Sequence, residues 1–186
     1  LGVECVHGEA KIASPWMVEI QKPDGTRQAL TTRAIVIAAG GSPFVPPIPG
    51  IERTGYYTSD TVWGLRDLPA RLVVLGGGPI GCELAQAFAR LGARVTQVEM
   101  LPRLLVREDP EIAALVEQRF RAEGVDLRLG HKAKEFRVEG SRKVLICEHE
   151  GLELAIEFDA LLVAVGRVAN TATATALLRL RLRWPV

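Results

Sequence analysis

The most constraining feature of the sequence is the glycine cluster Gly76-Gly77-Gly78-Pro79-Ile80-Gly81, which separates two apolar segments. Residues 72–75 before it are apolar and predict a buried strand, and residues 80–91 after it have the apolar spacing of an amphipathic helix. The cluster therefore fits the pattern Gly-x-Gly-x-x-Gly between a strand and a helix. In that context the pattern indicates a dinucleotide-binding site.

Each position of the cluster has an expected role. Gly76 permits a tight turn, Gly78 lets the backbone approach a pyrophosphate, and Gly81 lets the helix pack closely on the strand. The free N–H groups and the positive dipole end of the helix then face the phosphates. The predicted cofactor-binding residues of this loop are Gly76, Gly77, Gly78, Pro79, Ile80 and Gly81.

Charged residues near the cluster bear on which dinucleotide binds. Glu99 ends the next predicted strand, about 20 residues on, where a carboxylate accepts both hydroxyls of the adenosine ribose and repels a 2′-phosphate. This favours NAD. Arg103 and Arg107 follow closely and could bind such a phosphate instead, so NADP stays possible. Glu83, in the first turn of the helix, either faces the nicotinamide or is simply favoured there by the helix dipole.

The segment around the cluster alternates strands with helices. Residues 94–99 and 125–129 predict further strands, with a helix over 110–123, and this order predicts a right-handed parallel sheet. Antiparallel strands are then expected over residues 134–139, 143–149 and 152–158, followed by a buried strand over 160–165 that ends at Gly166. The fold class predicted is α/β, a Rossmann-like parallel sheet with an antiparallel β-meander.

The first third of the chain predicts a small antiparallel meander over residues 3–7, 10–13, 16–22 and 27–31. Residues 34–39 are apolar at every position and end at Gly40, which predicts a parallel strand covered on both faces. Both halves thus show a meander followed by an apolar strand and a glycine turn, which we interpret as a structural repeat. Four prolines over residues 43–49 place a domain boundary near residues 49–52.

Composition excludes several classes of partner. The 23 basic and 22 acidic residues give a net charge of +1, so no field draws in nucleic acid or an anionic membrane. No apolar run approaches the 18 residues of a membrane span, and we expect a cytoplasmic protein.

The three cysteines lack Cys-x-x-Cys spacing and are expected to be reduced and buried. The three histidines are expected to be structural or at the surface, with no metal site. The alternating residues 178–184 predict either a strand or a disordered end.

Four stretches of the chain resemble the pyridine nucleotide-disulfide oxidoreductases, which include dihydrolipoamide dehydrogenase, mercuric reductase and glutathione reductase. The stretches are residues 32–43, with Ala39 where the family has Thr; residues 47–60; residues 75–85; and Val165-Gly166-Arg167-x-x-Asn170-Thr171, with Ala169 where the family has Pro. The resemblance implies that Ala39, Gly40 and Gly166 also lie at cofactor sites. It further implies that Glu83 lies beside the nicotinamide.

The resemblance also implies a domain organisation and a function. Residues 1–50 are expected to be part of a flavin-domain meander with its linker, 51–167 the NAD(P)-binding domain, and 168–186 a return segment and tail. The family's first flavin motif, its redox cysteine pair and its dimerisation domain have no counterpart in the sequence, and the chain starts at Leu1 without Met. We therefore expect a fragment of an FAD-dependent, homodimeric enzyme.

Three interpretations of the chain stay open. In the first, it binds NAD(P)H and delivers hydride to flavin only within the full-length enzyme, with no catalytic residue of its own. In the second, it is a stand-alone or truncated nucleotide-binding module without catalytic activity. In the third, it is a structural relic that no longer binds nucleotide, which the presence of all the motif glycines and of Glu99 disfavours. Whether the chain alone is an enzyme is left undecided by the sequence.

Overall fold

The computed structural model describes residues 2–171, which form two compact units: Pro43–Arg167, and residues 2–42 together with 168–171. The larger unit includes the predicted dinucleotide domain, 51–167, and the proline-rich stretch before it. The elements in chain order are β1 (Glu9–Ser14), β2 (Met17–Gln21), β3 (Arg27–Thr31), β4 (Gly41–Pro43), α1 (Ile51–Thr54), β5 (Tyr57–Thr58), a 3-10 turn (Val62–Gly64), β6 (Arg71–Leu75), α2 (Pro79–Leu91), β7 (Arg94–Glu99), α3 (Pro110–Ala122), β8 (Asp126–Leu129), β9 (Lys132–Glu139), β10 (Arg142–His149), β11 (Leu152–Phe158), β12 (Ala160–Val163) and β13 (Arg167–Ala169).

A five-stranded parallel sheet forms the centre of the larger unit. Its strand order is β5-β12-β6-β7-β8, and each neighbouring pair is parallel. Helices α2 and α3 connect β6 to β7 and β7 to β8, because parallel neighbours require a crossover connection. The parallel sheet that the sequence predicts is therefore confirmed.

Both faces of this sheet are covered. Alternate side chains such as Leu72 and Val95 pack with Phe120 of α3 and Ala85 of α2 on one face. The intervening side chains, such as Val73, pack on the other face in the same core cluster as residues of the antiparallel strands. Burial on both sides explains why β6 and β12 are apolar along their whole length rather than alternating.

The second layer of the larger unit is an antiparallel sheet of order β11-β10-β9. Phe136 and Phe158 meet edge to face in its core, with ring centroids 6.0 Å apart. The three expected strands are confirmed, although β9 begins two residues earlier than predicted. The expected buried strand after them is confirmed as β12 but ends at Val163 rather than residue 165.

The smaller unit contains the antiparallel sheet β1-β2-β3, and the short strands β4 and β13 pair with each other in a separate two-stranded sheet. The turn between β2 and β3 is stabilised by Asp24, whose Oδ1 accepts hydrogen bonds from the backbone N–H of Thr26 at 2.9 Å and from its hydroxyl at 2.6 Å. The predicted meander is confirmed for these three strands. The strand expected over residues 3–7 is wrong, because that stretch has no regular structure.

The buried strand expected over residues 34–39 is also wrong. Val36 is 89% exposed and Ile37 56% exposed, and the stretch is irregular. An apolar strand is buried only where neighbouring strands and covering layers exist, and the described residues supply none to this stretch. The interpretation as a structural repeat is therefore wrong, because only the second half has a buried strand after its meander. The alternating residues 178–184 lie outside the described residues.

Three further expectations concern cysteines, histidines and membrane spans. Cys82 and Cys147 are buried as expected, but Cys5 is exposed. The His131 and His149 rings stack at 4.5 Å, and their Nδ1 atoms lie 2.8 and 2.9 Å from the carbonyl oxygens of Leu129 and Gly130. Across residues 2–171 no helix has the length and hydropathy of a membrane span, and no three acidic, His or Cys side chains are grouped as metal ligands.

Candidate functional site

The glycine loop leaves the carboxyl end of β6 through a backbone turn that only glycine adopts readily. Gly76 has φ of 116°, and a Cβ there would overlap the carbonyl oxygen of Ala164, just after β12. Its N–H donates to the carbonyl of Val98 in β7 at 2.8 Å. The tight turn expected at Gly76 is therefore present. It lies between the ends of β12 and β7, the two strands on either side of β6.

The fourth glycine of the cluster brings α2 against the loop. A Cβ on Gly81 would overlap the carbonyl oxygen of Gly76 and would lie 3.4 Å from Nε2 of Gln97. Gly81 is buried in the first turn of α2. The close approach of helix to strand that the sequence predicts at Gly81 is thus found in the structure.

Gly78 borders open space. Apart from its own and its two neighbouring residues, no residue has an atom within 4 Å of the position that its Cβ would occupy, and its φ of −78° and ψ of 177° are ordinary extended values. It is the N-cap of α2, and no side chain caps this helix end. Because a helix leaves its first N–H groups without intrahelical partners, those groups are directed to this open space. The arrangement is suited to binding an anion such as a pyrophosphate.

Gly77 is held by the end of β7. Its N–H donates to Oε2 of Glu99 at 2.6 Å, and its carbonyl accepts from the N–H of Leu105 at 2.8 Å. A Cβ on Gly77 would lie 2.8 Å from Leu104 and 2.9 Å from Cγ of Glu99. A side chain here would displace the carboxylate, so glycine is required by packing.

Glu99 is half-buried at the carboxyl end of β7 beside the loop. Its second oxygen, Oε1, accepts from the N–H of Leu101 at 2.8 Å. Each carboxylate oxygen has two lone-pair directions, so the side chain retains acceptor capacity beyond these two bonds. The residue is thus fixed in place and able to accept hydroxyl groups.

Arg103 is directed into its own loop. Its Nη1 donates to the carbonyls of Leu105 and Glu108 at 3.3 and 3.2 Å, and its Nη2 donates to that of Val106 at 2.7 Å. Leu105 has a positive φ of 48°. Three carbonyl contacts explain how this loop keeps its shape, and they occupy much of a guanidinium that the sequence made a candidate phosphate ligand.

Glu83 lies on the exposed side of the first turns of α2. It borders an open cleft of about 380 Å³, whose other walls include Pro79, Glu108 of the 101–109 loop and Arg119 of α3. The side chain is accessible to a ligand that reaches the helix N-terminus. The dipole of α2 also favours a carboxylate here, so both interpretations of Glu83 fit its position.

The remaining predicted residues divide between the two units. Gly166 belongs to the larger unit, where its carbonyl accepts from the N–H of Phe44 at 2.9 Å. Ala39 and Gly40 belong to the smaller unit, where Asn170 binds both: Nδ2 donates to the Ala39 carbonyl at 3.1 Å and the backbone N–H to that of Gly40 at 3.0 Å. Gly166 is thus in the same unit as the glycine loop and follows Ala164 and Val165, which lie against Gly76, whereas Ala39 and Gly40 are in the other unit.

Sequence reasoning missed two residues beneath the loop, Gln97 and Cys82. Nε2 of Gln97 donates to the Gly76 carbonyl at 3.0 Å, and the Cys82 thiol donates to the Gly77 carbonyl at 3.5 Å. Burial raises the pKa of Cys82 to about 11. The signal for Gln97 was a polar residue next to Val98 and two positions after Val95, on the strand face where Val95 is buried.

Comparison with protein families places the whole chain in one group. The family model described as pyridine nucleotide-disulphide oxidoreductase matches residues 2–183. The mercuric reductase of Shigella flexneri is 39% identical over 173 residues, which cover 91% of this chain and 30% of that protein. The chain spans about a third of the length of the curated relatives it matches.

Solved structures show the same fold. The HOCl-induced flavoprotein disulfide reductase RclA of Escherichia coli matches with a TM-score of 0.72 and 34% identity, covering 90% of this chain and 37% of that one. The water-forming NADH oxidase of Lactobacillus brevis, solved bound to NADH, matches with a TM-score of 0.72 at 23% identity, covering 90% and 38%. At that identity the second likeness concerns the fold alone.

Proposed function

The chain belongs to the pyridine nucleotide-disulphide oxidoreductase family of FAD-dependent enzymes, and we propose that it is the part that binds NAD(P)H and presents it to the flavin. The observation that carries this proposal is the uncapped N-terminus of α2 facing open space at Gly78, with the Glu99 carboxylate fixed beside it. These are the two groups that a dinucleotide needs, an anion site for its pyrophosphate and an acceptor for its ribose.

The residues of the loop would hold the ligand in a defined order. The N–H groups at the start of α2 bind the pyrophosphate, Gly78 admits it without steric conflict, and Glu99 accepts the adenosine ribose hydroxyls. When bound, the nicotinamide supplies the hydride, and the protein contributes orientation and electrostatics. We assign Glu83, exposed at the helix N-terminus, to the nicotinamide end of the site.

We propose NAD rather than NADP as the preferred dinucleotide. The Glu99 carboxylate repels a 2′-phosphate, and the Arg103 guanidinium donates to three carbonyls of its own loop instead of facing the ribose side. Arg107 is exposed and is the remaining candidate to offset the repulsion. NADP binding is thus expected to be weaker, not absent.

FAD is assigned to the whole protein and not to the described residues. Residues 2–42 and 168–171 contain no helix, so this unit offers no helix N-terminus to a flavin pyrophosphate. Asn170 donates hydrogen bonds to the carbonyls of Ala39 and Gly40, and we place these residues at the border of the flavin domain in the complete enzyme. A homodimeric, cytoplasmic full-length protein stays a prediction.

The proposed binding can be tested through the tryptophan fluorescence of the chain, which has three tryptophans. NADH is titrated into the chain, and quenching of emission is followed with absorbance correction. Saturable quenching that excess ADP-ribose reverses supports the proposal. Quenching that rises linearly with NADH, without competition by ADP-ribose, contradicts it.

A further inference from the structure

Gln97 is a polar residue in the interior of the parallel sheet. It lies in β7 opposite Val74 of β6 and Leu127 of β8, and it is fully buried, with 0% exposure. It shares its face of the strand with Val95, the face covered by α2 and α3. An apolar side chain is what this environment favours.

Packing alone does not account for the amide. Oε1 of Gln97 is buried and has no hydrogen-bond partner among the described residues. Burying an unsatisfied polar atom costs folding free energy, whereas an apolar side chain of the same shape avoids that cost. The favourable contact that the amide makes is on its other side, where Nε2 donates to the carbonyl of Gly76 and lies 3.7 Å from Sγ of Cys82.

Gln97 and Glu99 hold the same peptide group from opposite sides. The Gly76 carbonyl accepts from Gln97 at 3.0 Å, and the N–H of Gly77, which belongs to that same peptide, donates to Glu99 at 2.6 Å. Between them in β7, Val98 accepts from the Gly76 N–H at 2.8 Å. Three consecutive residues of β7 therefore fix the start of the glycine loop.

The loop needs such restraint because it consists of three successive glycines. Without Cβ atoms, the peptide between Gly76 and Gly77 can rotate among many backbone conformations. Its orientation sets where Gly78 and the uncapped end of α2 face. Glu99 is also the residue assigned to the ribose hydroxyls, so Gln97 is the side chain that holds this peptide without being assigned a contact with the ligand.

We propose that Gln97 is a positioning residue for the dinucleotide, holding the Gly76–Gly77 peptide so that the loop receives the pyrophosphate. The inference rests on the proposed function. Under this inference, Gln97 and Glu99, which share one face of β7, have different roles. Glu99 contacts the ligand, whereas Gln97 acts by holding the loop. A residue with this role contributes to affinity at the expense of folding stability.

The test compares Gln97→Met with the matched variant Gln86→Met in the 186-residue chain. Methionine keeps the length of the side chain and removes the donor, while the amide of Gln86 on α2 donates its hydrogen bond to Glu123 and not to Gly76. We expect Gln97→Met to raise the Kd for NADH and for ADP-ribose about five- to tenfold, the equivalent of one hydrogen bond. Its Tm is expected to equal or exceed that of the unmodified chain, and Gln86→Met to bind NADH normally.

Adenosine, which lacks the pyrophosphate, distinguishes a positioning role from a merely structural one. A positioning role weakens only the ligands that carry a pyrophosphate, whereas a structural role weakens all of them. Its Kd, measured by NMR titration, is expected to change less than twofold in Gln97→Met. A folded Gln97→Met chain that binds NADH with unchanged Kd overturns the inference, as does a lowered Tm with equal weakening for all three ligands. If Gln97→Met fails to fold, the amide is structural and the inference is wrong. Absence of NADH binding by the unmodified chain instead overturns the proposed function itself.

Discussion

Glu99 Oε2 accepts a 2.6 Å hydrogen bond from the backbone N–H of Gly77, so the carboxylate expected to bind ribose also fixes the glycine loop. The same side chain accepts from Leu101 through its other oxygen. Ligand recognition and loop geometry are consequently coupled at one residue. Substitutions at Glu99 are expected to change both affinity and specificity.

Gly78→Val is expected to abolish NADH binding without unfolding the chain. The φ and ψ of Gly78 are accessible to valine, and no residue beyond its two chain neighbours has an atom within 4 Å of the new Cβ. The branched side chain would occupy the space assigned to the pyrophosphate. Binding is measured by calorimetry and folding by circular dichroism.

Two other glycines provide controls for Gly78→Val. Gly64 also has open space around its Cβ position but lies away from the loop, so Gly64→Val should fold and bind NADH normally. Gly81→Ala should instead lower the Tm, because its Cβ would overlap the Gly76 carbonyl. A folded Gly78→Val chain with unchanged affinity would show that the dinucleotide does not bind here.

Glu99→Ala is expected to weaken NADH binding and to narrow the preference for NADH over NADPH about tenfold, or ~1.4 kcal/mol. The substitution removes both a ribose acceptor and the negative charge that repels the 2′-phosphate. Calorimetric Kd values for the two dinucleotides give the ratio. Glu111→Ala, an exposed carboxylate in the first turn of α3, is the control and should leave the ratio unchanged. An intact preference in Glu99→Ala would show that this residue does not contact the ribose.

Arg103→Ala is expected to destabilise the chain by about 2 kcal/mol, because charged hydrogen bonds to three loop carbonyls are lost. The ratio of NADH to NADPH affinity should stay within a factor of about two. Urea unfolding and the two Kd values are measured on the same preparation. A selective loss of NADPH binding, with stability unchanged, would instead make Arg103 a phosphate ligand.

Glu123, at the end of α3, is expected to contribute stability that depends on pH. Hydrogen bonds from Arg90, above all, and from Gln86 and Arg119 lower its pKa to about 2 from an ordinary value of 4.5. Because the folded-state pKa is the lower one, the contribution is fully present above pH 4.5 and is lost as pH falls from there towards 2. Glu123→Gln should therefore lower the free energy of unfolding at pH 7 and flatten its decline in that acid range. Equal slopes for both proteins would contradict this.

One thiol of the native chain is expected to react rapidly with an aromatic disulfide reagent. Cys5 is exposed, whereas burial raises the pKa of Cys82 to about 11 and that of Cys147 to about 12, which keeps both protonated and inaccessible. Three thiols should react after unfolding in guanidinium chloride. Two or more fast-reacting thiols in the native protein would show that the sheet core opens readily.

The elements around the glycine cluster could be predicted because local and tertiary preferences agree there. The strand Arg94–Glu99 and the strand Leu152–Phe158 have the bounds that their residue patterns predict. Gly81 likewise packs against a near neighbour in sequence, the Gly76 carbonyl, as predicted. Gly76 has the positive φ of the predicted tight turn, but the atom that excludes a Cβ there belongs to Ala164, 88 residues further along the chain. The prediction of a buried strand over residues 34–39 was wrong, because the burial of an apolar strand depends on partner strands, which the residue pattern does not reveal.

Side-chain partners at the site were less predictable than backbone geometry. The spacing of Arg103 from Glu99 suggested a phosphate ligand, but the guanidinium instead donates hydrogen bonds to the loop carbonyls of Leu105, Val106 and Glu108. Gln97 gave only the signal of a polar residue two positions after Val95, on the face of the strand that is buried. Its contact with Gly76, 21 residues away, follows from the parallel register of β6 and β7.

The most direct measurement is calorimetric titration of the purified chain with NADH and with NADPH, before and after addition of FAD. We predict saturable NADH binding at one site, weaker NADPH binding, and no change in either when FAD is present. Such a result would identify the chain as the nicotinamide-binding part of a flavoenzyme. Binding of neither dinucleotide would contradict the central claim that the Gly76–Gly81 loop and Glu99 form a working dinucleotide site.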